Sequence, residues 1–149
     1  MRLVIQRVGK ARVLVDGEIV GSISNGLLVF LGITHDDNME DVLWLVKKTI
    51  GLRIFNDTNN LMNLSLLDTE GELLVVSQFT LHALTKKGNR PSYIEAARPE
   101  TALHLYERFV EECEKALGRP VSTGVFGAMM DVQLCNDGPV TILMDSKNK

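Results

Sequence analysis

Two stretches built around consecutive apolar residues set the strongest limit on how this chain can fold. One runs Gly26-Leu27-Leu28-Val29-Phe30-Leu31-Gly32-Ile33; the other starts at Glu72 and carries through to Leu81. Successive side chains of a strand point to opposite sides, so a strand with one wet face alternates apolar and polar residues. Neither run alternates, so each reads as a central strand covered on both faces. More strands surround them. Residues 2–8 read as one, and Ala11 to Val15 meets Ile19 to Ile23 across Asp16-Gly17, a strong hairpin signal. Near the C-terminus, Ala128 to Cys135 and Val140 to Met144 form alternating runs that flank Asn136-Asp137-Gly138-Pro139-Val140-Thr141.

Two segments carry a helical period instead. Met39, Val42, Leu43, Val46 and Ile50 repeat at three- and four-residue spacing, with acidic residues at the start and Lys47, Lys48 and Gly51 at the end. Pro99 opens a second helix with Ala102, Tyr106, Phe109, Cys113 and Ala116 on one face, closing at Gly118. The polar stretch 56–60 reads as a turn before a short piece around Leu64, and residues 85–92 read as a basic loop. Strands outnumber helices and most joins are hairpin-length. The expectation is an α+β fold, a curled antiparallel or mixed sheet with two main helices. At 149 residues the chain suits one domain spanning 1–149.

Composition excludes several classes of function. A net charge of −3 argues against a protein that coats nucleic acid nonspecifically, while leaving room for a local phosphate-binding patch. No apolar stretch approaches the ~18 residues that span a bilayer, and Met1 leads straight into a strand-like run, so a cytoplasmic protein is expected. Cys113 and Cys135 lie in no metal-like spacing and read as reduced thiols packed as small apolar residues. His35, His82 and His104 form no two-histidine metal motif; His35 reads as the start of a helix and His104 as a surface residue. No metal or cofactor is expected.

Two blocks are poorly explained by packing. Ser77-Gln78-Phe79-Thr80-Leu81 stacks hydroxyl, amide and ring groups where an apolar strand should end. Asn136 to Thr141 sets Gly138-Pro139 inside an alternating run, with a missing N–H and a bond able to be cis. Both suggest a site built largely from backbone. Thr80 admits two readings: a nucleophile, which needs an adjacent base, or a β-branched strand residue bonding nearby backbone. Lys86, Lys87 and Arg90 are either a solvated basic loop or a phosphate contact. Gly124-Val125-Phe126-Gly127 reads as a bend entering the next strand.

Taken in order along the chain, these blocks resemble the D-aminoacyl-tRNA deacylases of the bacterial and eukaryotic type. The resemblance runs from Met1-Arg2-Leu3-Val4-Ile5-Gln6-Arg7-Val8 through Gly26 to Gly32, Leu52 to Phe55, Ser77 to Leu81, Gly88 to Ser92 and Thr123 to Gly127, ending at Asn136 to Thr141. Met129 departs from it, standing where many relatives carry an acidic residue; Met130 fits the apolar position beside it. The resemblance implies a barrel-like sheet and a homodimer with active sites at the subunit interface. It implies a Gly138-Pro139 cis element that each subunit projects into its partner's pocket to reject L-amino acids, with Arg7 and Gln78 supporting that element. Phe79 and Thr80, with Ser77 and Gln78, would line the aminoacyl group, and Phe126 and Met130 would clasp the terminal adenosine. The implied partner is the 3′ acceptor end of aminoacyl-tRNA, not DNA or a membrane. The implied reaction is ester hydrolysis assisted by the ribose 2′-hydroxyl, with glycyl-tRNA also accepted. Two other functions stay open: a noncatalytic dimer that binds RNA ends, and an esterase using Thr80 or Ser77 as nucleophile.

Overall fold

A computed structural model describes residues 1–149. Its organising strand is β1 (Arg2–Val15), longer than the sequence suggests, because residues 2–8 and 11–15 form one continuous element. Lys10 pairs with Cys135 and bridges the two parts. One edge of β1 is shared: its first half pairs with β3 (Gly26–Gly32) and its second with β2 (Glu18–Ile23), both antiparallel. The β1–β2 hairpin turns at Asp16 and Gly17, both at positive φ, as the Asp-Gly pair predicts.

Beyond β3 the order continues through β6 (Glu72–Ser77) to β7 (Ser122–Thr123), with parallel pairing at both steps. Parallel neighbours need a crossover, and two helices provide it. These are α1 (Met39–Gly51), with Asn38 and Asp41 forming a reciprocal cap, and α2 (Pro99–Leu117), with Pro99 in its first turn and Gly118 left-handed at its end. A small hairpin, β4 (Phe55–Asn56) with β5 (Met62–Leu64), follows α1. The last strand, β8 (Asp131–Asp145), runs antiparallel along the other edge of β1. The Ser122 hydroxyl donates to the Ser22 carbonyl at 3.0 Å, so β7 reaches back to β2 and the mixed sheet is nearly closed.

The continuous apolar runs are now accounted for. Leu27, Val29, Leu31, Leu73 and Val75 face the helices in a core of 22 buried residues. Leu28, Leu74 and Val76 face the other way, joining Val8, Ala11, Val13 and Ile23 in a second core of seven within the curled sheet. Both helices turn somewhat from their expected faces. Leu43 and Ala116 are exposed, while Leu45 and Leu117 are buried, because helix docking selects among neighbouring positions that periodicity treats alike.

Three further expectations are corrected. The strand from Glu72 stops at Ser77 and the chain turns through a 3-10 helix, Phe79–His82. The C-terminal runs are one strand starting at Asp131, not two starting at Ala128. Cys113 is buried as expected but Cys135 is exposed. His104 is exposed and His82 buried. No helix is long and apolar enough to cross a membrane.

Candidate functional site

The end of β6 governs a large cavity. Gln78 still donates its N–H to the Leu31 carbonyl at 2.8 Å, the last step of the parallel ladder. The backbone then tightens, with Leu81 N–H returning to Gln78 O at 3.2 Å and Ala83 N–H to Thr80 O at 3.1 Å. The first amides of such a turn have no partner within it. The turn presents Phe79 outward, 57% exposed, onto a cavity of about 690 Å³ that Ser77 and Gln78 also line.

The opposite wall is aromatic and sulfur-rich. Phe126 and Met130 line it. Phe126 leans on Tyr106, ring centroids 5.7 Å apart, and Tyr106 is anchored by its hydroxyl donating to the Val75 carbonyl at 2.9 Å. Burial pushes the Tyr106 phenol up to about 12, against a smaller downward pull from Thr123, so it stays a neutral donor. Met130 rests over Gly124, where a Cβ would stand only 2.6 Å from its sulfur. The bend at Gly124 is therefore a seat for Met130. Thirteen of the 18 lining residues are hydrophobic, which suits a flat and largely apolar group.

Sequence reasoning missed Tyr93 and Arg98, which line the same cavity. Tyr93 meets Phe79 edge-on, with centroids 5.1 Å apart and planes at 77°. Its signal was available: an aromatic residue directly after the basic loop, in a chain with few rings.

Thr80 stands apart from the cavity lining. Its hydroxyl oxygen accepts from the Gln78 side-chain amide at 2.5 Å, and no imidazole or carboxylate is hydrogen-bonded to it. Thr80 and His82 both lie on the turn rather than on a strand. Burial raises the Cys113 thiol well above its ordinary value, which leaves it inert in the core. No three His, Cys, Asp or Glu side chains gather as a metal site.

Gly138-Pro139 lies elsewhere. In the β1–β8 ladder Gln6 pairs with Thr141 and Val8 with Asn136, so a single residue, Arg7, opposes the four residues Asp137, Gly138, Pro139 and Val140. The surplus is extruded: Asp137, Gly138 and Pro139 are exposed, while Val140 is buried and pins the segment. The Gly138–Pro139 peptide is cis. Arg7 is buried and grips Asp137 through both the main-chain carbonyl and the carboxylate. The Asn136 amide, oriented by its neighbours, donates to Gln6 Oε1 at 2.7 Å and accepts from the Asp137 and Gly138 N–H groups. The Gln78 side chain bonds to Thr80 and not to this element, and Arg7, Gly138 and Pro139 do not line the cavity.

Lys86, Lys87 and Arg90 project from a loop closed by paired hydrogen bonds between Leu84 and Ser92 at 2.8 and 3.1 Å. All three are exposed, and their charges make no ion pair with a carboxylate.

Fold and site together define a small α+β domain whose aromatic-walled pocket opens beside a backbone turn, with no side-chain nucleophile–base pair. A sequence profile described as D-Tyr-tRNA(Tyr) deacylase matches residues 4–145. Proteins named D-aminoacyl-tRNA deacylase from Flavobacterium psychrophilum and Cytophaga hutchinsonii are 60% and 61% identical over 149 residues, covering 100% of this chain and 99% of each relative. The chain belongs to the D-Tyr-tRNA(Tyr) deacylase family. Among solved structures, one described as a c-Myc DNA unwinding element binding protein superposes with a TM-score of 0.91 at 38% identity, covering 97% of this chain and 98% of that one. A probable eukaryotic D-amino acid tRNA deacylase superposes at 0.82 with 20% identity over 96% and 97%, a likeness of fold.

Proposed function

We propose that this protein hydrolyses the ester joining a D-amino acid to the 3′ end of tRNA, acting in the cytosol as a homodimer. The observation that carries the proposal is the separation of two elements on one chain. Ser77, Gln78 and Phe79 border the cavity, while Gly138-Pro139 is extruded where that cavity does not reach. A second copy presenting its Gly138-Pro139 segment to the cavity would complete the site. Exposed Phe79, Ile94 and Leu143 offer apolar surface for such pairing.

In this reading the cavity holds the terminal adenosine between Phe126 and Met130, and the aminoacyl ester lies along Phe79 and Thr80. Carbonyl oxygens of the partner's Gly138-Pro139 segment accept hydrogen bonds from the substrate ammonium. They also fill the space an L side chain needs, so selection works by exclusion. Glycine has nothing to exclude and is accepted. Water, assisted by the ribose 2′-hydroxyl, attacks the ester carbon, and the developing oxyanion meets the amides of Phe79 and Thr80. The C–O bond to the 3′-oxygen then breaks, that oxygen takes a proton, and the free amino acid and tRNA leave.

The test compares D-tyrosyl-tRNA with L-tyrosyl-tRNA under single-turnover conditions. Rapid release from the D form with no acceleration for the L form supports the proposal; equal rates, or protection of the ester without turnover, overturns it.

A further inference from the structure

We propose that His82 is a positioning residue for the turn bearing Phe79 and Thr80, and that it holds this turn only while its imidazole is uncharged. His82 closes the Phe79–His82 turn, and in a 3-10 helix residues three apart lie one above the other. The imidazole is buried, 4% exposed, while Phe79 at the other end of the turn stands 57% exposed at the cavity. The ring rests on bare backbone: a Cβ on Gly32 would lie 3.0 Å from His82 Cδ2, 2.9 Å from Leu81 Cβ and 3.0 Å from the Gln78 carbonyl. The whole turn is therefore seated on one glycine at the end of β3.

The imidazole Nε2 is buried with no hydrogen-bond partner. A neutral ring can leave that nitrogen as an unused acceptor at modest cost. An imidazolium would carry a buried N–H and a charge that nothing satisfies. Apart from Glu95, which makes no ion pair, the charged groups around it are already engaged. The Met1 ammonium pairs with Asp37, Arg2 with Asp145, and Lys147 with Asp41, Asp36 and Asp37. Arg2 also donates from Nη1 to the Leu81 carbonyl at 3.1 Å, bringing a fixed cation to the turn itself. Asp36, Glu95, Asp145 and Lys147 line a polar cavity of about 260 Å³ on which His82 borders. Burial lowers the His82 pKa below 6.5, opposed by the Gly32 backbone and Asp37 and reinforced by Arg2 and the Met1 ammonium. A protonated ring gains water by leaving Gly32 for this cavity, and Phe79 and Thr80 move with it.

Two measurements test this, and only the second rests on the deacylase reading. First, NMR of the wild-type protein from pH 8 to 5 follows the His82 ring together with the Phe79 and Thr80 resonances. The expected result is one shared midpoint below 6.5. Titration of His82 with no response at Phe79 and Thr80 overturns the proposal, whatever the enzyme does. Second, kcat for D-tyrosyl-tRNA in the wild type should fall at least five-fold through that midpoint, with KM following less. His82→Gln, uncharged throughout, should lose this acidic limb. An identical limb in the variant also overturns the proposal.

Discussion

Arg7 holds Asp137 twice with one nitrogen: its Nε lies 2.8 Å from the carboxylate Oδ2 and 3.2 Å from the main-chain carbonyl. Its Nη1 meanwhile donates to the Ile54 carbonyl at 2.5 Å. One planar cation thus ties the extruded Asp137–Val140 segment to the body of the fold. The geometry needs a fork, which lysine lacks.

Arg7→Lys should lower unfolding free energy by about 2 kcal/mol, because the buried Ile54 carbonyl and the Asp137 carbonyl lose donors that an ammonium cannot reach together. Urea denaturation measures this. On the proposed function, the rate with D-tyrosyl-tRNA should also fall at least ten-fold, since the extruded segment is no longer held. A variant as stable and as active as wild type would refute the anchoring role.

Gly124→Ala probes the Met130 seat. The added methyl would stand 2.6 Å from the Met130 sulfur, and the flexible end of that side chain can swing away. Stability should drop by less than about 1 kcal/mol. KM for aminoacyl-tRNA should rise several-fold with kcat nearly kept, because the displaced side chain enters the cavity away from the reacting ester. A loss confined to kcat would place Met130 elsewhere in the mechanism.

Thr80→Ala should retain activity within about ten-fold, since the hydroxyl accepts from the Gln78 amide and has no base beside it. Single-turnover rates decide the matter. A collapse of several orders of magnitude in a folded variant would restore Thr80 as nucleophile.

Acid should loosen the chain ends. Burial raises the Asp41 pKa, but hydrogen bonds from Lys147, Ser146 and the Asn38 backbone outweigh it and bring the carboxyl down to about 2. A pKa depressed on folding contributes stability that is present above the unfolded value of 3.8 and lost as pH falls through about 2. With solvent screening at half-exposed Lys147, the contribution is about 1 kcal/mol. Thermal melts between pH 5 and 2 should show this decline, and Lys147→Met should flatten it.

Neutralising Lys86, Lys87 and Arg90 together should weaken tRNA binding and reduce the slope of log affinity against log salt by about 0.7–0.9 for each phosphate left without its cation. D/L discrimination should persist, because the loop lies outside the cavity lining. An unchanged salt slope would mark these residues as ordinary solvated surface.

The central strands, the Asp16-Gly17 hairpin and both helices were legible because each rests on local chemistry. Alternation, turn residues and caps act within a few positions of the chain. The ordered blocks around Ser77 and Asn136 likewise pointed to the family. The Phe79–His82 turn was not legible, because its apolar run reads as a strand until Gly32 takes up the backbone behind it. Tyr93 and Arg98 were missed for a related reason, since a cavity wall has no sequence period.

From its own order of residues, this chain determined which segments could be strands or helices and which blocks could not be explained by packing. Only the tertiary structure decided that Arg7 opposes four residues of β8, that Phe79 faces an aromatic-walled cavity, and that His82 is buried with a free nitrogen. The physical reason is distance. Propensity and pattern act between neighbours, whereas register, burial and hydrogen-bond partners are settled between residues far apart in the chain that meet only once the sheet has curled.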